Sequence, residues 1–202
     1  MLFRSRFQGD LFLNYNYVSK SISLGTSNTF NDSYLISPGF ALYNLILGSS
    51  NNTDGTSNLI AGQGNGVAGV RNIAIGFNNQ VTSSQGGGGA IGYQCRVEND
   101  YGGFAVGANT VAIGEQAFVS GGNTRATGSY THAEGNFTTA SNSAAHAEGY
   151  YSVASGLYSH AEGNNTLASN NSSHAEGYLA TASGTYSHAE RSEEHTSELQ
   201  SP

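Results

Sequence analysis

Small residues at a spacing of seven dominate the hydrophobic pattern of this chain. Between positions 126 and 189 an alanine returns every seventh residue, and its neighbours are mostly polar. Two residues after most of these alanines stands a glycine or an asparagine, the residue types that adopt a positive φ most easily. We expect a short strand and then a tight turn, with two such units in each coil of 14 residues. The interior alanines are Ala126, Ala133, Ala140, Ala147, Ala154, Ala161, Ala168, Ala175, Ala182 and Ala189, and the predicted corner residues are Gly135, Asn142, Gly149, Gly156, Gly163, Asn170, Gly177 and Gly184.

A coiled coil does not fit this pattern, because it needs two large apolar positions in each heptad and no systematic glycine. Stacked 14-residue coils of two short strands instead form an all-β, single-chain parallel β-roll, which is a kind of β-solenoid. The middle residue of each strand fills the interior, so an alanine there predicts a very narrow tube. At a strand spacing of about 4.8 Å, about ten coils between residues 48 and 190 make a rod about 50 Å long.

In the coils before residue 122, the residues on either side of the interior position are apolar. Examples are Leu45 with Leu47, and Ile73 with Ile75. Alternation along a strand places these side chains on the outside of the tube. A continuous apolar column on an outer face predicts partner chains along that face.

Three segments carry a resemblance to a known family. The motifs Ile73–Gly76 and Val111–Gly114 and the run Ser159–Gly163 resemble the head repeats of YadA-type trimeric autotransporter adhesins. The His-Ala-Glu-Gly variant is similar to repeats found in phage tail fibres. The resemblance covers residues 48–190 and implies a left-handed parallel β-roll that trimerises side by side. Left-handedness comes from the family alone, since the general preference for crossover connections has the opposite hand.

The repeat register divides the chain into five segments. Residues 6–47 are irregular, either a lead-in or first degenerate coils. Residues 48–121 form coils with apolar outer positions, and residues 122–190 form the regular His-Ala-Glu coils. Residues 1–5 and 191–202 resemble translated sequencing-adapter DNA, and the second of these begins with an arginine where the register requires a corner glycine. We therefore interpret both terminal segments as artefacts of sequencing and leave them out of the fold prediction.

Two insertions interrupt the 14-residue step, because Gly92 follows Gly76 after 16 residues and Gly107 follows Gly92 after 15. The extra residues are expected to bulge outward within residues 77–89 and 93–103. Individual recognition could be encoded there, although tolerated surface loops are the simpler interpretation. The insertions hold Gly86, Gly87, Gly88, Gly89, Cys95, Arg96, Glu98, Asp100 and Tyr101.

Charge and composition limit the kinds of partner that we expect for this chain. The formal net charge is −7, so no electrostatic footprint for nucleic acid is present. No apolar run is long enough to span a membrane, so membrane insertion by this segment is not expected. Cys95 is the single cysteine, which excludes a disulfide within the chain.

Histidine and glutamate recur in one fixed phase, two residues apart, and predict two neighbouring polar columns. A structural polar ladder, possible between chains, is the favoured interpretation; a metal held by three imidazoles on a trimer axis and a catalytic site are the alternatives. Glutamate beside histidine would raise the histidine pKa, so the ladder is expected to be most stabilising in acid. The residues are His132, Glu134, His146, Glu148, His160, Glu162, His174, Glu176, His188 and Glu190.

Other known solenoid chemistries fit poorly. A calcium-binding β-roll needs an aspartate in each turn, and the four aspartates here are out of phase. An ice-binding solenoid needs a flat column of threonines, and the corresponding positions are mixed. A glycoside-cleaving tailspike needs two carboxylates across a groove, whereas the ladder glutamates share one column.

These observations favour a non-enzymatic structural or adhesive segment of a trimeric surface fibre for host or cell-surface attachment, and the His-Ala-Glu-Gly repeats favour a phage tail fibre. The head of a bacterial trimeric autotransporter adhesin is the alternative, and a tailspike scaffold is a further one. The expected partners are two more copies of the chain and a surface receptor such as a glycan or a matrix protein. No cofactor or metal is expected, and an extracellular place on a virion or bacterial surface follows from the resemblance.

Overall fold

A computed structural model describes residues 2–6, 12–16, 21–31 and 44–191, and every regular element in these ranges is a β-strand. The strands form two sheets. Sheet A consists, in spatial order, of β1 (Leu2–Arg6), β2 (Phe12–Asn16), β3 (Ser21–Leu24), β5 (Leu45–Ser49), β7 (Leu59–Gln63), β9 (Ile73–Phe77), β11 (Gly89–Tyr93), β13 (Phe104–Ala108), β15 (Phe118–Gly122), β17 (His132–Asn136), β19 (His146–Tyr150), β21 (His160–Asn164), β23 (His174–Tyr178) and β25 (His188–Arg191). Sheet B consists of β4 (Thr29–Asn31), β6 (Asn52–Thr56), β8 (Gly66–Val70), β10 (Gln80–Ser83), β12 (Arg96–Glu98), β14 (Val111–Ala112), β16 (Arg125–Ala126), β18 (Thr139–Ala140), β20 (Val153–Ala154), β22 (Leu167–Ala168) and β24 (Thr181–Ala182).

Each coil contributes one strand to sheet A and one to sheet B, and equivalent residues of successive coils pair in register. His132 pairs with His146, and Ala140 pairs with Ala154, 14 residues further along the chain. From β3 onward all strand pairs in the described residues are parallel, whereas β1, β2 and β3 pair antiparallel. The predicted parallel β-roll is thus confirmed, and its parallel stacking begins upstream of residue 48.

The ends of the described chain continue sheet A. Strand β1, at the amino-terminal end, pairs with β2, and Arg191 lies opposite Gly177 in the last pair. Residues 192–202 lie outside the described residues, as do residues 32–43.

The interior of the roll is a column of small side chains whose width varies along its length. From Ala126 to Ala175 the inward alanines are fully buried, Ala182 is buried, and Ala189 in the last coil is partly buried. Nearer the amino terminus the same inward positions hold Ile46 and Ile60 in sheet A. The narrow bore predicted from alanine therefore applies to the histidine-containing coils, whereas the first coils enclose branched side chains.

The turn that leaves sheet A requires glycine. Gly135, Gly149, Gly163 and Gly177 have φ between 100° and 116°. A Cβ built on Gly149 would lie 2.1 Å from the carbonyl oxygen of Gly163 in the next coil. Conformation and close stacking both demand the absence of a side chain here.

The turn that leaves sheet B differs from the prediction. Asn142, Gly156, Asn170 and Gly184 do not have a positive φ; the left-handed residue stands two positions later. In each turn the fourth residue donates its N–H to the first carbonyl, as Ala145 does to Asn142 at 3.1 Å. A turn of this kind with a positive φ at its third position resembles type II, in which the first residue needs no unusual conformation. The left-handed residues are Ala144, Tyr158, Ser172 and Tyr186.

Two ladders of buried asparagine stabilise the first coils. The Asn65 Nδ2 group donates to the Gly76 carbonyl oxygen of the next coil at 3.0 Å, and the Asn65 Oδ1 atom accepts from the backbone N–H of Asn79 at 3.0 Å. Each side chain thus satisfies backbone groups that the corner would otherwise leave unpaired. Sequence reasoning missed these ladders, although asparagine at every seventh position was a visible signal. The members are Asn44, Asn58 and Asn72 in one column, and Asn51, Asn65 and Asn79 in the other.

Cys95 takes the next place in the second asparagine column, and the prediction that it lies in an outward bulge is wrong. Its side chain is buried, its backbone N–H donates to Asn79 Oδ1 at 2.9 Å, and its thiol lies 3.2 Å from the Gly107 carbonyl oxygen. The chain is therefore in register at Cys95, and the one extra residue of that coil falls later, within residues 99–103.

Candidate functional site: the histidine and glutamate columns of sheet A

Five histidines lie in one column on the outer face of sheet A. The column continues from Phe118, which pairs in register with His132, and upstream it holds the apolar residues Leu45 and Ile73. Ring centroids of successive histidines are 4.7 Å apart, and the first four rings are nearly parallel. The last ring is tilted by 57° to its neighbour. The column consists of His132, His146, His160, His174 and His188.

Five glutamates form the neighbouring column on the same face. The His132 Nε2 atom lies 3.4 Å from Glu134 Oε2, and the three following pairs are 3.8 Å apart, too long for hydrogen bonds. These side chains are 36–53% exposed, so solvent weakens the attraction. The column consists of Glu134, Glu148, Glu162, Glu176 and Glu190.

The Nε2 atom of four of the five imidazoles is shielded from solvent. Nε2 of the first four histidines is inaccessible to solvent and has no hydrogen-bond partner among the described residues. An unpaired buried nitrogen is tolerated best in the neutral ring, because a charged ring would have to donate from it. For His146, this geometry agrees with a pKa that burial holds below its usual value.

Burial lowers the pKa of His146 below its usual 6.5, and the flanking His132 and His160 lower it further. Glu148 and Glu162 raise this pKa, but their effect is weaker than the first two causes. The expectation that glutamate pairing raises the histidine pKa is therefore wrong for His146, because desolvation and repulsion between stacked rings outweigh the distant carboxylates.

One chain does not bring these imidazoles together as metal ligands. The first four rings are stacked nearly parallel, so the nitrogen lone pairs, which lie in the ring planes, do not converge on one ion. No group of three potential metal ligands occurs within the described part of the chain. An imidazole metal site would need histidines from more than one chain.

The glutamate column does not resemble a pair of catalytic carboxylates. Each glutamate has its nearest equivalents one coil above and one coil below, as for Glu148 between Glu134 and Glu162. Glycoside hydrolysis needs two carboxyl groups on opposite sides of a bound sugar. The ladder geometry is that of a repeated surface.

The insertions form a shallow depression of about 350 Å³ on sheet B, lined by Thr82, Ser84, Glu98, Asn99 and Asp100. Ser84 donates a 2.6 Å hydrogen bond to the Asp100 carboxylate. Glu98 pairs with Arg96 at 2.8 Å, so its charge is partly neutralised. A hydrogen bond and an ion pair among neighbouring side chains thus stabilise the walls of the depression.

The two sheets have different outer faces before residue 122. On sheet A, Leu45 and Phe118 are each 39% exposed, and Ile73 and Ile75 are partly exposed. On sheet B the equivalent outward positions include Gln80, which is exposed. An apolar stripe therefore runs along sheet A and leads directly into the histidine and glutamate columns.

No known family model matches this chain, and no curated protein matches it either. The fold nevertheless defines its class, which is a parallel β-solenoid built from 14-residue coils. Across the described ranges, no helix has the length and apolar character needed to cross a membrane.

Proposed function

We propose that this chain is a non-enzymatic structural and adhesive segment of a trimeric surface fibre that takes part in attachment to a host or cell surface. The supporting observation is the apolar stripe on sheet A, where side chains such as Leu45 and Phe118 remain 39% exposed in the single chain. Burial of apolar surface contributes about 25 cal/mol per Å², so a stripe that extends over many coils favours side-by-side association.

The proposal assigns different roles to the two halves of sheet A. The stripe before residue 122 supplies apolar contact between chains. The histidine and glutamate columns continue the same face with polar groups, where contact between chains depends on satisfied partners. The segment would then act as a rigid rod that spaces or presents an attachment site.

The His-Ala-Glu-Gly repeats favour a phage tail fibre. This assignment implies an extracellular location on a virion. The head of a bacterial trimeric autotransporter adhesin has the same supporting observation and places the segment on a cell surface. The complete reading frame separates them, because a membrane β-barrel domain downstream indicates the adhesin and a chaperone or protease domain indicates the phage protein. The scaffold of a carbohydrate-degrading tailspike is a third assignment. The ladder does not favour it, because the ladder contains no pair of opposed carboxylates.

Sedimentation equilibrium of the full chain tests the assembly. We expect a trimer, and we expect Ile73→Asn to shift the equilibrium toward monomer because it places an amide in the apolar stripe. Val111→Asn is the matched control, because Val111 is an outward position of sheet B and its replacement leaves the stripe intact. A wild-type chain that remains a folded monomer, or equal effects of the two variants, would contradict the proposal.

A further inference from the structure

In the regular coils, the turn that leaves sheet B is of two kinds, which alternate from coil to coil and so repeat every 28 residues. Turns that begin with glycine have a tyrosine at their third position, and turns that begin with asparagine have alanine or serine there. In the second kind the asparagine closes its own turn, as Asn142 Oδ1 does by accepting from the N–H of Ser143 at 2.9 Å. The alternating third-position residues are Tyr130, Ala144, Tyr158, Ser172 and Tyr186.

These three tyrosines are the most exposed large hydrophobic side chains among the described residues. Tyr130 is 61% exposed, Tyr158 is 65% exposed and Tyr186 is 82% exposed. No hydrogen bond, ring contact or ion pair joins their side chains to another described residue. The rings therefore do little to stabilise the chain itself.

Their backbone conformation adds a cost. Each tyrosine has a φ between 56° and 59°, a region that bulky residues rarely occupy. A left-handed non-glycine residue is strained, and each turn of the regular coils contains one. Ala144 and Ser172 occupy the same conformation without a large exposed ring. The tyrosine is thus an addition to the turn and not a requirement of it.

The turns that carry the tyrosines, and the turns between them, are polar and uncharged, whereas the turn one coil before Tyr130 holds Glu115. We define the tyrosine strip as residues 128–131, 141–145, 155–159, 169–173 and 183–187, which contain no Asp, Glu, Lys or Arg. The strip is rich in tyrosine, serine, asparagine and glycine, the residue types that also dominate antibody paratopes. Tyrosine supplies an apolar face at low entropic cost, and the small polar residues supply hydrogen bonds. A neutral, hydroxyl-rich partner fits this chemistry better than a charged one.

The spacing of the strip suits a polymer. Successive tyrosines are two coils apart, which is about 9.5 Å at the usual strand spacing. A small residue lies between each pair, so the space between two rings is open. Successive contacts of the same kind along one line match a chain of repeating units, such as linked sugar rings, whose C–H faces stack on aromatic rings.

We propose that the tyrosine strip binds a neutral linear polysaccharide that runs along the fibre axis, with tyrosines stacking on every second or third sugar ring. The proposal rests on the attachment function and names the class of its receptor.

Calorimetric titration of the full chain with cellohexaose, maltohexaose and mannohexaose tests the strip, with tyrosine fluorescence as a second readout because the chain has no tryptophan. We expect at least one hexasaccharide to bind. The triple variant Y130S/Y158S/Y186S should bind it about tenfold or more weakly, since each lost aromatic contact contributes about 0.5–1.5 kcal/mol. The variant should fold, because Ser172 already stands at the equivalent position. The control is Y150N/Y178N, which removes two exposed tyrosines from the opposite turn, where Asn136 and Asn164 occupy the same column.

Failure of the wild-type chain to bind any of the three sugars overturns the proposal. Equal loss in the control variant also overturns it, because the effect would then belong to exposed aromatics in general. A triple variant that sediments with a smaller mass would place the tyrosines between chains and again overturn it. A stable trimer without sugar binding refutes the glycan proposal alone and leaves the fibre assignment standing.

Discussion

Alanine in place of Gly149 should break the solenoid at one corner. Gly149 leaves sheet A with a φ of 105°, where an L-residue is strained by about 1–3 kcal/mol. The added Cβ would also lie 2.1 Å from the carbonyl oxygen of Gly163. Since that oxygen belongs to the backbone of the next coil, the overlap is relieved only if the two coils separate.

Separation weakens the bonds between these coils. The N–H of Asn165 donates to the Tyr150 carbonyl oxygen at 2.8 Å, directly beside the corner. Loss of one or two such hydrogen bonds costs about 0.5–1.5 kcal/mol each. With the conformational strain included, the variant should lose about 2–5 kcal/mol, concentrated at the boundary between two coils.

Hydrogen exchange and thermal unfolding measure this loss separately. A solenoid approximates a one-dimensional array, so a weakened boundary lets the coils on either side unfold as separate units. We expect faster exchange in residues 146–173 and a broadened or divided melting transition by far-ultraviolet circular dichroism. Residues 59–88, several coils away, should keep their protection.

Gly184→Ala is the matched control. Gly184 lies outside the left-handed region, and among the described residues its added Cβ would meet only Ser187 side-chain atoms, at ordinary contact distances of 3.4 Å and more. The substitution should be neutral or slightly stabilising, because it restricts the unfolded chain. An unchanged melting curve and exchange pattern for Gly149→Ala would refute the argument from close stacking.

Two further predictions concern titration and the asparagine ladder. Because the folded pKa of His146 lies below its unfolded value, its contribution is fully present above about pH 6.5 and is lost as the pH falls toward the folded value. The melting temperature should therefore fall as the pH is lowered from about 8 to about 5, and it should fall less steeply in His146→Phe. A melting temperature that rises in acid would contradict the reasoning. Cys95→Asn should stabilise the chain by about 1 kcal/mol, since its amide can donate to the Gly107 carbonyl and its Oδ1 can accept from the unpaired hydroxyl of Thr110. Denaturant unfolding against Cys95→Ala checks this, and a variant less stable than wild type would show that the column does not admit a further asparagine.

The coil, the register and the inward column can be predicted from the periodicity of the residues. A step of 14 residues leaves one way to stack identical segments, so the pairing of His132 with His146 and the burial of Ala133 follow from spacing alone. Alternation then places histidine and glutamate on one outer face. These features depend on local periodicity, which a sequence displays directly.

Which turn residues are strained and which groups are desolvated depends on contacts in the folded chain. Asn142 is as suited to a positive φ as Gly135, but the hydrogen bond that closes its turn moves the left-handed residue to Ala144. The pKa of His146 depends first on its burial, then on the stacked rings 4.7 Å away and on a carboxylate at 3.8 Å, and none of these is encoded in the spacing of the residues. Cys95 likewise belongs to the asparagine column only because the chain is in register there after an insertion. Periodicity specifies which residues stack, whereas conformation and burial at each position arise from contacts between coils that exist only once the chain is folded.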